Sequence, residues 1–214
     1  MDMKTSLVHV SDAVYIAGPM TGRVGLNYEA FNAVAAWLRA QGREVVSPAE
    51  FGLAADTPWA DCMRVAARAV SYCGEVLLLP GWEQSKGACK EADLAATFAM
   101  PTAVLDLDEI AASQRQSNGA VSMDLAVRTI ATLMHAEVLA GNNVTLCGHT
   151  FHPDVGANEF WGCSPYGVDF VVSLASACPG LDVLAGYVPR LIRGEICGGV
   201  PPYCEAPEHE GELK

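Results

Sequence analysis

Two short stretches of this 214-residue chain carry residue types that do chemistry. The first is Tyr15-Ile16-Ala17-Gly18-Pro19-Met20-Thr21-Gly22. Its glycines let the backbone approach a ligand closely, and exposed amides there can hold an anion. The spacing is neither the G-x-G-x-x-G dinucleotide fingerprint nor a phosphate loop closed by Gly-Lys-Ser/Thr. On spacing alone, an ordinary Gly/Pro turn accounts for it at least as well. The second stretch is Pro80-Gly81-Trp82-Glu83-Gln84-Ser85-Lys86-Gly87-Ala88-Cys89-Lys90-Glu91. Ser85 and Gly87 fall at a helix N-terminus, a natural phosphate site. Glu91 falls about one turn into that helix, where the dipole favours its ionised form. An ionised carboxylate facing a crevice can act as a nucleophile or a general base. The plainer reading of Glu91 is an acid that only complements the helix dipole.

The elements that must position these loops alternate between strand and helix. Val14–Ala17 is β-prone and ends at Gly18-Pro19. Asn27 is a good N-cap, with Tyr28, Phe31, Ala35 and Leu38 at helical spacing and Gly42 as terminator. Glu44–Ser47 reads as a strand stopped by Pro48. Thr57-Pro58 reads as N-cap and first helical residue, with Trp59, Met63, Ala66 and Val70 as the apolar stripe. Val76–Leu79 is apolar throughout, as expected of a strand covered on both faces. Gly87–Met100 is helical with Leu94, Ala95 and Phe98 inward, and Thr102–Leu105 is a further strand. This alternation predicts an α/β fold: a flavodoxin/Rossmann-like parallel sheet with helices on both faces. Ligands in such sheets sit beyond the carboxyl ends of the strands. Those ends are Gly18–Gly22, Pro48–Phe51 and Pro80–Ala88.

Composition narrows the partners. The chain has 13 basic and 25 acidic side chains and a net charge of −12, with 51% hydrophobic residues. That is enough apolar material for a core, and it argues against coating duplex nucleic acid, which needs Lys and Arg on phosphates. No run of about 18 apolar residues marks a membrane span. Met1–Pro19 lacks the pattern of a signal peptide, so a cytoplasmic location is expected. The eight cysteines then read as thiols rather than disulfides, including the Cys197 and Cys204 pair.

Several motifs in order resemble the nucleoside 2-deoxyribosyltransferase-like superfamily, and most closely its small DUF4406 branch found in bacteriophages and bacteria. They are Tyr15-Ile-Ala-Gly-Pro-Met-Thr-Gly22, Asn27-Tyr28-x-x-Phe31-Asn32, Gly42-x-x-Val45-Val46-x-Pro48, and Leu78-Leu79-Pro80-Gly81-Trp82-x-x-Ser85-Lys86-Gly87-Ala88-x-x-Glu91. Together they cover about residues 14–105. The resemblance implies a nucleoside or nucleotide site and a Glu nucleophile, Glu91, that attacks the anomeric carbon and displaces the base. Water then gives hydrolysis and a second base gives transfer, as in a retaining glycosidase. By the same resemblance Gly18, Met20, Thr21 and Gly22 line the sugar–phosphate or base site. Ser85, Gly87 and Ala88 offer donors to a 5′-phosphate or 5′-hydroxyl, and Tyr15 hydrogen-bonds near the nucleophile. Trp82 either stacks on a base or packs over the pocket. Relatives carry an Arg-x-Asp-Leu sequence where this chain has Arg64-Val65-Ala66-Ala67. The Asp is absent, and Asp61 is the candidate substitute. Its loss leaves a second reading open: a protein that binds a nucleotide without turning it over. Neither reading calls for a cofactor or a metal. Family members associate, so a homodimer or larger homo-oligomer is expected.

The resemblance stops near residue 110, which divides the chain into a 1–110 domain and a less regular C-terminal extension, 111–214, packed on the first or separate from it. Ala111–Gly119 reads as a loop. Met123, Val127, Ile130, Met134 and Val138 mark a helix over about 121–140, closed by Gly141. It is a core helix or a dimer contact. Val144–Leu146 and Phe170–Leu174 read as strands or core segments. Trp161–Tyr166 is a candidate active-site cover or dimer contact. The part from Pro189 is rich in Gly and Pro, and Glu205–Lys214 reads as a frayed acidic tail. Cys147, His149, His152 and Cys163 raise a structural zinc, but without a paired C-x-x-C set ordinary thiols and histidines are the favoured reading.

Overall fold

The structure is a computed structural model that describes residues 11–54, 56–116, 122–154, 159–163, 169–173, 186 and 188–193. The strands β1 (Val14–Ala17), β2 (Val45–Val46), β3 (Glu75–Leu78) and β4 (Thr102–Val104) form a parallel sheet in the order β2-β1-β3-β4. This is the expected flavodoxin/Rossmann-like α/β sheet. Chain direction across it reverses at β1, so β1 and β3 flank a topological switch point. Their carboxyl ends are in register, with Ala17 opposite Leu78.

Alternation along the strands sorts side chains onto two faces. Val14, Ile16, Val45, Leu77 and Leu79 face one way and pack against α1 (Tyr28–Ala40). That helix buries Ala30, Phe31, Val34, Ala35 and Leu38, a stripe at 3–4 spacing. Ala13, Tyr15, Ala17, Val76 and Leu78 face the other way, toward α2 (Trp59–Tyr72) and α3 (Lys86–Thr97). That second core is built from small residues, with Ala88 and Ala95 of α3 and Val70 of α2 filling it.

The described part of the extension is more regular than expected, and its first two helices, its first strand and residues 188–192 contribute to the first core. The helix α4 (Leu107–Gln116) runs across the expected boundary at 110 and through 111–116 of the expected loop. Leu107, Ile110 and Ala111 are buried at helical spacing; the polar residues that followed obscured so short an apolar face. The helix α5 (Met123–Leu139) is as expected, and Val127, Ile130, Met134 and Val138 are buried in the same cluster as Ile16 and Phe31. It reads as core. Beyond it β5 (Val144–Leu146), β6 (His149–Asp154), β7 (Glu159–Cys163) and β8 (Asp169–Ser173) form an antiparallel meander. Cys147 and Gly148 join β5 to β6, both with positive φ, as a two-residue hairpin turn requires. Pro153 in β6 and Gly162 in β7 hid these two strands from propensity. Residues 188–192 are helical, and Val188, Leu191 and Ile192 join the first core. Residues 164–166, Cys197, Cys204 and the 205–214 tail lie outside the described residues.

Several local expectations shift. Asn27 precedes α1 but takes a left-handed φ of 59° and makes no side-chain cap. Its Nδ2 donates instead to the Pro19 carbonyl at 2.9 Å. The N-cap of α2 is Pro58, one residue later than Thr57. Trp59 is 43% exposed and lies under the Lys86 ammonium, 4.2 Å from its ring centre; cation–π contact replaces burial. Phe98 is 48% exposed, because α3 ends at Thr97 and the chain turns at Ala99 with φ of 52°. The strand β4 is exposed at Thr102, Ala103 and Val104, as the sheet edge.

Candidate active site

Tyr15 projects from β1 and Glu91 from α3, 76 residues apart, onto the small-residue face. The Tyr15 hydroxyl donates to Glu91 Oε1 at 2.7 Å, and both side chains are buried. The local reasons are simple. The Ser85 hydroxyl caps α3 by accepting from the Ala88 amide. Capping fixes where the helix starts, and Ala88 and Glu91, three residues apart, then point to the sheet. Ala88 and Ala17 are small enough to leave Tyr15 its place.

Burial dominates the electrostatics of the pair. It pushes the Glu91 carboxyl up to about 7, and the Tyr15 hydrogen bond works against that rise. The helix dipole was expected to keep Glu91 ionised; desolvation outweighs it six residues into α3. Tyr15 is driven well above its ordinary value, first by burial and then by the neighbouring carboxylate, so it remains a hydroxyl donor. Cys73 lies in the same cluster, but burial and then Glu44 push its thiol up to about 11, which keeps it a poor nucleophile.

The chain leaves β1 at Gly18 and β3 at Leu79. Leu79 N donates to Ala17 O at 2.8 Å, holding the strand ends together. A Cβ on Gly18 would stand 2.9 Å from Leu79 Cβ, so only glycine passes there without a shift. Gly18 is buried, Met20 is half-buried, and Thr21 and Gly22 are exposed. Trp82 packs against the cluster that holds Tyr15, and its buried indole N–H has no hydrogen-bond partner among the described residues. Ser85 and Gly87 are half-buried and Ala88 is buried. Tyr15, Trp82 and Ala88 thus share one cluster, with Glu91 bonded to Tyr15, while Gly18 follows β1 and Ser85 caps α3.

Asp61 is not brought to the pair. It sits exposed in the first turn of α2 and is ion-paired with Arg64. Ala66 is buried and carries no acid. The Cys147–His149–His152–Cys163 set is a strand pattern: His149 and His152 are three apart on β6, on opposite faces. Among the described residues, no group of three His, Cys, Asp or Glu comes together to hold a metal ion.

Sequence reasoning missed Arg23 and Glu137. Arg23 Nη1 stands 3.2 Å from Glu137 Oε1, with both side chains about nine-tenths buried. Glu137 is the one carboxylate buried on the apolar face of α5, and a charge inside such a stripe is the signal that could have found it. Glu137 also lines a cleft of about 630 Å³ with Gly81, Glu83, Asp106, Glu109 and Asn142. Glu91 and Tyr15 are not in its wall, and its carboxylates suit no anion. The buried Tyr15–Glu91 pair lies outside this cleft.

Among the described residues no helix is long and apolar enough to cross a membrane. Comparison with curated proteins and with solved structures gives no match. The segment that carries Tyr15, Gly18, Arg23, Gly81, Trp82, Ser85 and Glu91, residues 12–104, matches the family model DUF4406, a domain of unknown function.

Proposed function

We propose that this chain breaks the bond between base and sugar in a nucleoside or nucleotide, through Glu91, as the nucleoside 2-deoxyribosyltransferase-like superfamily does. The observation that carries the proposal is the buried Tyr15–Glu91 hydrogen bond of 2.7 Å at the β1/β3 switch point. Among the described residues this carboxylate has no ion-pair partner, and titratable groups perturbed by burial cluster at functional sites. Tyr15 holds Oε1 and leaves Oε2 for the sugar. The Glu91 carboxylate forms a bond to the anomeric carbon as the carbon–nitrogen bond breaks, its electron pair leaving on the base, which takes up a proton. Water then attacks the same carbon and Glu91 departs as carboxylate; a second base in place of water gives transfer. The carboxylate stabilises the positive charge that develops on the sugar. Amides at the start of α3 and in the Gly18–Gly22 loop supply donors for a 5′-phosphate without net positive charge. The indole N–H of Trp82, buried and without a partner among the described residues, is a further donor.

The test is release of free base from a panel of nucleosides and their 5′-monophosphates. The wild-type chain is expected to release base and the Glu91→Ala variant to release none. Equal rates in the two proteins end the proposal.

The exposure of Asp61 and the alanine at 66 favour a second reading, in which the same residues hold a nucleotide without turning it over. Tight binding by calorimetry, with the ligand recovered intact, is the outcome that selects it.

A further inference from the structure

The ion pair of Arg23 and Glu137 joins three segments. Arg23 lies in the loop after β1, and its Nη1 also donates to the Ala136 carbonyl at 3.2 Å. Glu137, from α5, accepts a second hydrogen bond from Asn142 Nδ2 at 2.6 Å through Oε2. The pair passes over the loop after β3. A Cβ on Gly81 would stand 2.7 Å from Arg23 Nη2 and 3.1 Å from Glu137 Oε2. Gly81 itself has φ of 75°, so both its conformation and its neighbours require glycine.

The loop that Arg23 belongs to is strained. Gly25, Leu26 and Asn27 follow one another with left-handed φ of 55°, 53° and 59°. Leucine rarely adopts that region, and such backbone persists only where the surroundings over-determine it. Two tethers do so here: Asn27 to the Pro19 carbonyl, and Arg23 to α5. The second tether comes from outside the 12–104 segment.

We propose that Glu137 is a positioning residue: through Arg23 it fixes the 18–27 loop at the carboxyl end of β1 and so sets how tightly the Glu91 site binds its ligand. The inference rests on the reading of that loop as ligand-facing. Glu137 itself touches no ligand. Without it Arg23 is a buried, uncompensated cation, which must move to water and take its loop along.

Hydrogen exchange read by mass spectrometry tests this on the full chain, together with the kinetics of base release from nucleoside 5′-monophosphates. In Glu137→Ala the amides of residues 18–27 are expected to exchange at least about tenfold faster, while those of β1 and β3 keep their rates. KM is expected to rise about tenfold or more, with kcat within about threefold. Glu137→Gln, which keeps the acceptor but not the charge, is expected to show both effects at smaller size. It carries the test if Glu137→Ala does not fold. A folded variant whose loop exchanges at the wild-type rate overturns the proposal, as does a faster loop with unchanged KM. If the wild-type chain releases no base, the glycosidase reading fails by itself; ligand Kd then replaces KM.

Discussion

The two faces of the parallel sheet are made by the same strands and do different things. The face toward α1 and α5 carries Val14, Ile16, Leu77 and Leu79 against Phe31, Ile130 and Met134, and the buried charge on that side, Glu137 of α5, is paired with Arg23 from the loop after β1. The face toward α2 and α3 carries Ala13, Tyr15 and Ala17 against Ala88 and Ala95, and it buries Glu91. A one-residue step along β1, from Tyr15 to Ile16, crosses from one to the other. Large branched side chains leave no room for a ligand-facing polar pair; small ones do. The first face therefore holds the fold, and the second can hold a reactive group at some cost in stability.

The largest effect that separates the faces is expected from Glu91→Gln. Base release should fall by at least about 10³-fold, as when a nucleophile is removed. Stability should move the other way. The Glu91 pKa is raised by folding, so its contribution is fully present at pH 4 and is lost as pH rises through about 7. At pH 8 the buried charge costs about 3 kcal/mol, which the neutral amide avoids. A higher melting temperature for Glu91→Gln at pH 8, and none at pH 4, is the signature of a working face. A variant less stable at both pH values would make Glu91 a structural residue.

On the other face Phe31→Ala is expected to cost about 3–5 kcal/mol in denaturant unfolding. Its base-release rate per folded molecule should stay near wild type, since Phe31 is fully buried on the α1 side. Tyr15→Phe is the next smaller step. The hydroxyl lowers the Glu91 pKa, so its loss should shift the acidic limb of the kcat/KM profile above pH 7. At pH 7 the rate should drop by about tenfold. Asp61→Asn should change neither rate nor profile, because Asp61 is exposed and paired with Arg64.

The parallel half was legible because its signals are local. Val76–Leu79 is too apolar for anything but a doubly covered strand, and glycines at 18, 22, 42 and 81 mark where the chain turns. Glu91 and Tyr15 stood out in their motifs, yet their contact is not a sequence property. It depends on α3 crossing β1, and its energetics on burial that no spacing reports. Asn27 illustrates the limit: its type favours an N-cap, but the Pro19 carbonyl lies close enough to claim the amide. In the antiparallel sheet β5 and β8 fall on the expected 144–146 and 170–174 segments, but β6 and β7 were hidden. Register there comes from long-range pairing of β6 with β7, across Pro153 and Gly162, where local propensity is weak. Arg23 and Glu137 are 114 positions apart, and only the packing of α5 on the sheet brings them together.

The central claim is that the small-residue face works through a covalent bond at Glu91. The most direct measurement is intact-protein and peptide mass spectrometry after rapid acid quench of the chain turning over a nucleoside or nucleotide from the panel. A mass increase of one sugar unit, mapped to the peptide that contains Glu91 and absent from Glu91→Gln, is the predicted result. Base release with no adduct, or with an adduct on another residue, contradicts the account.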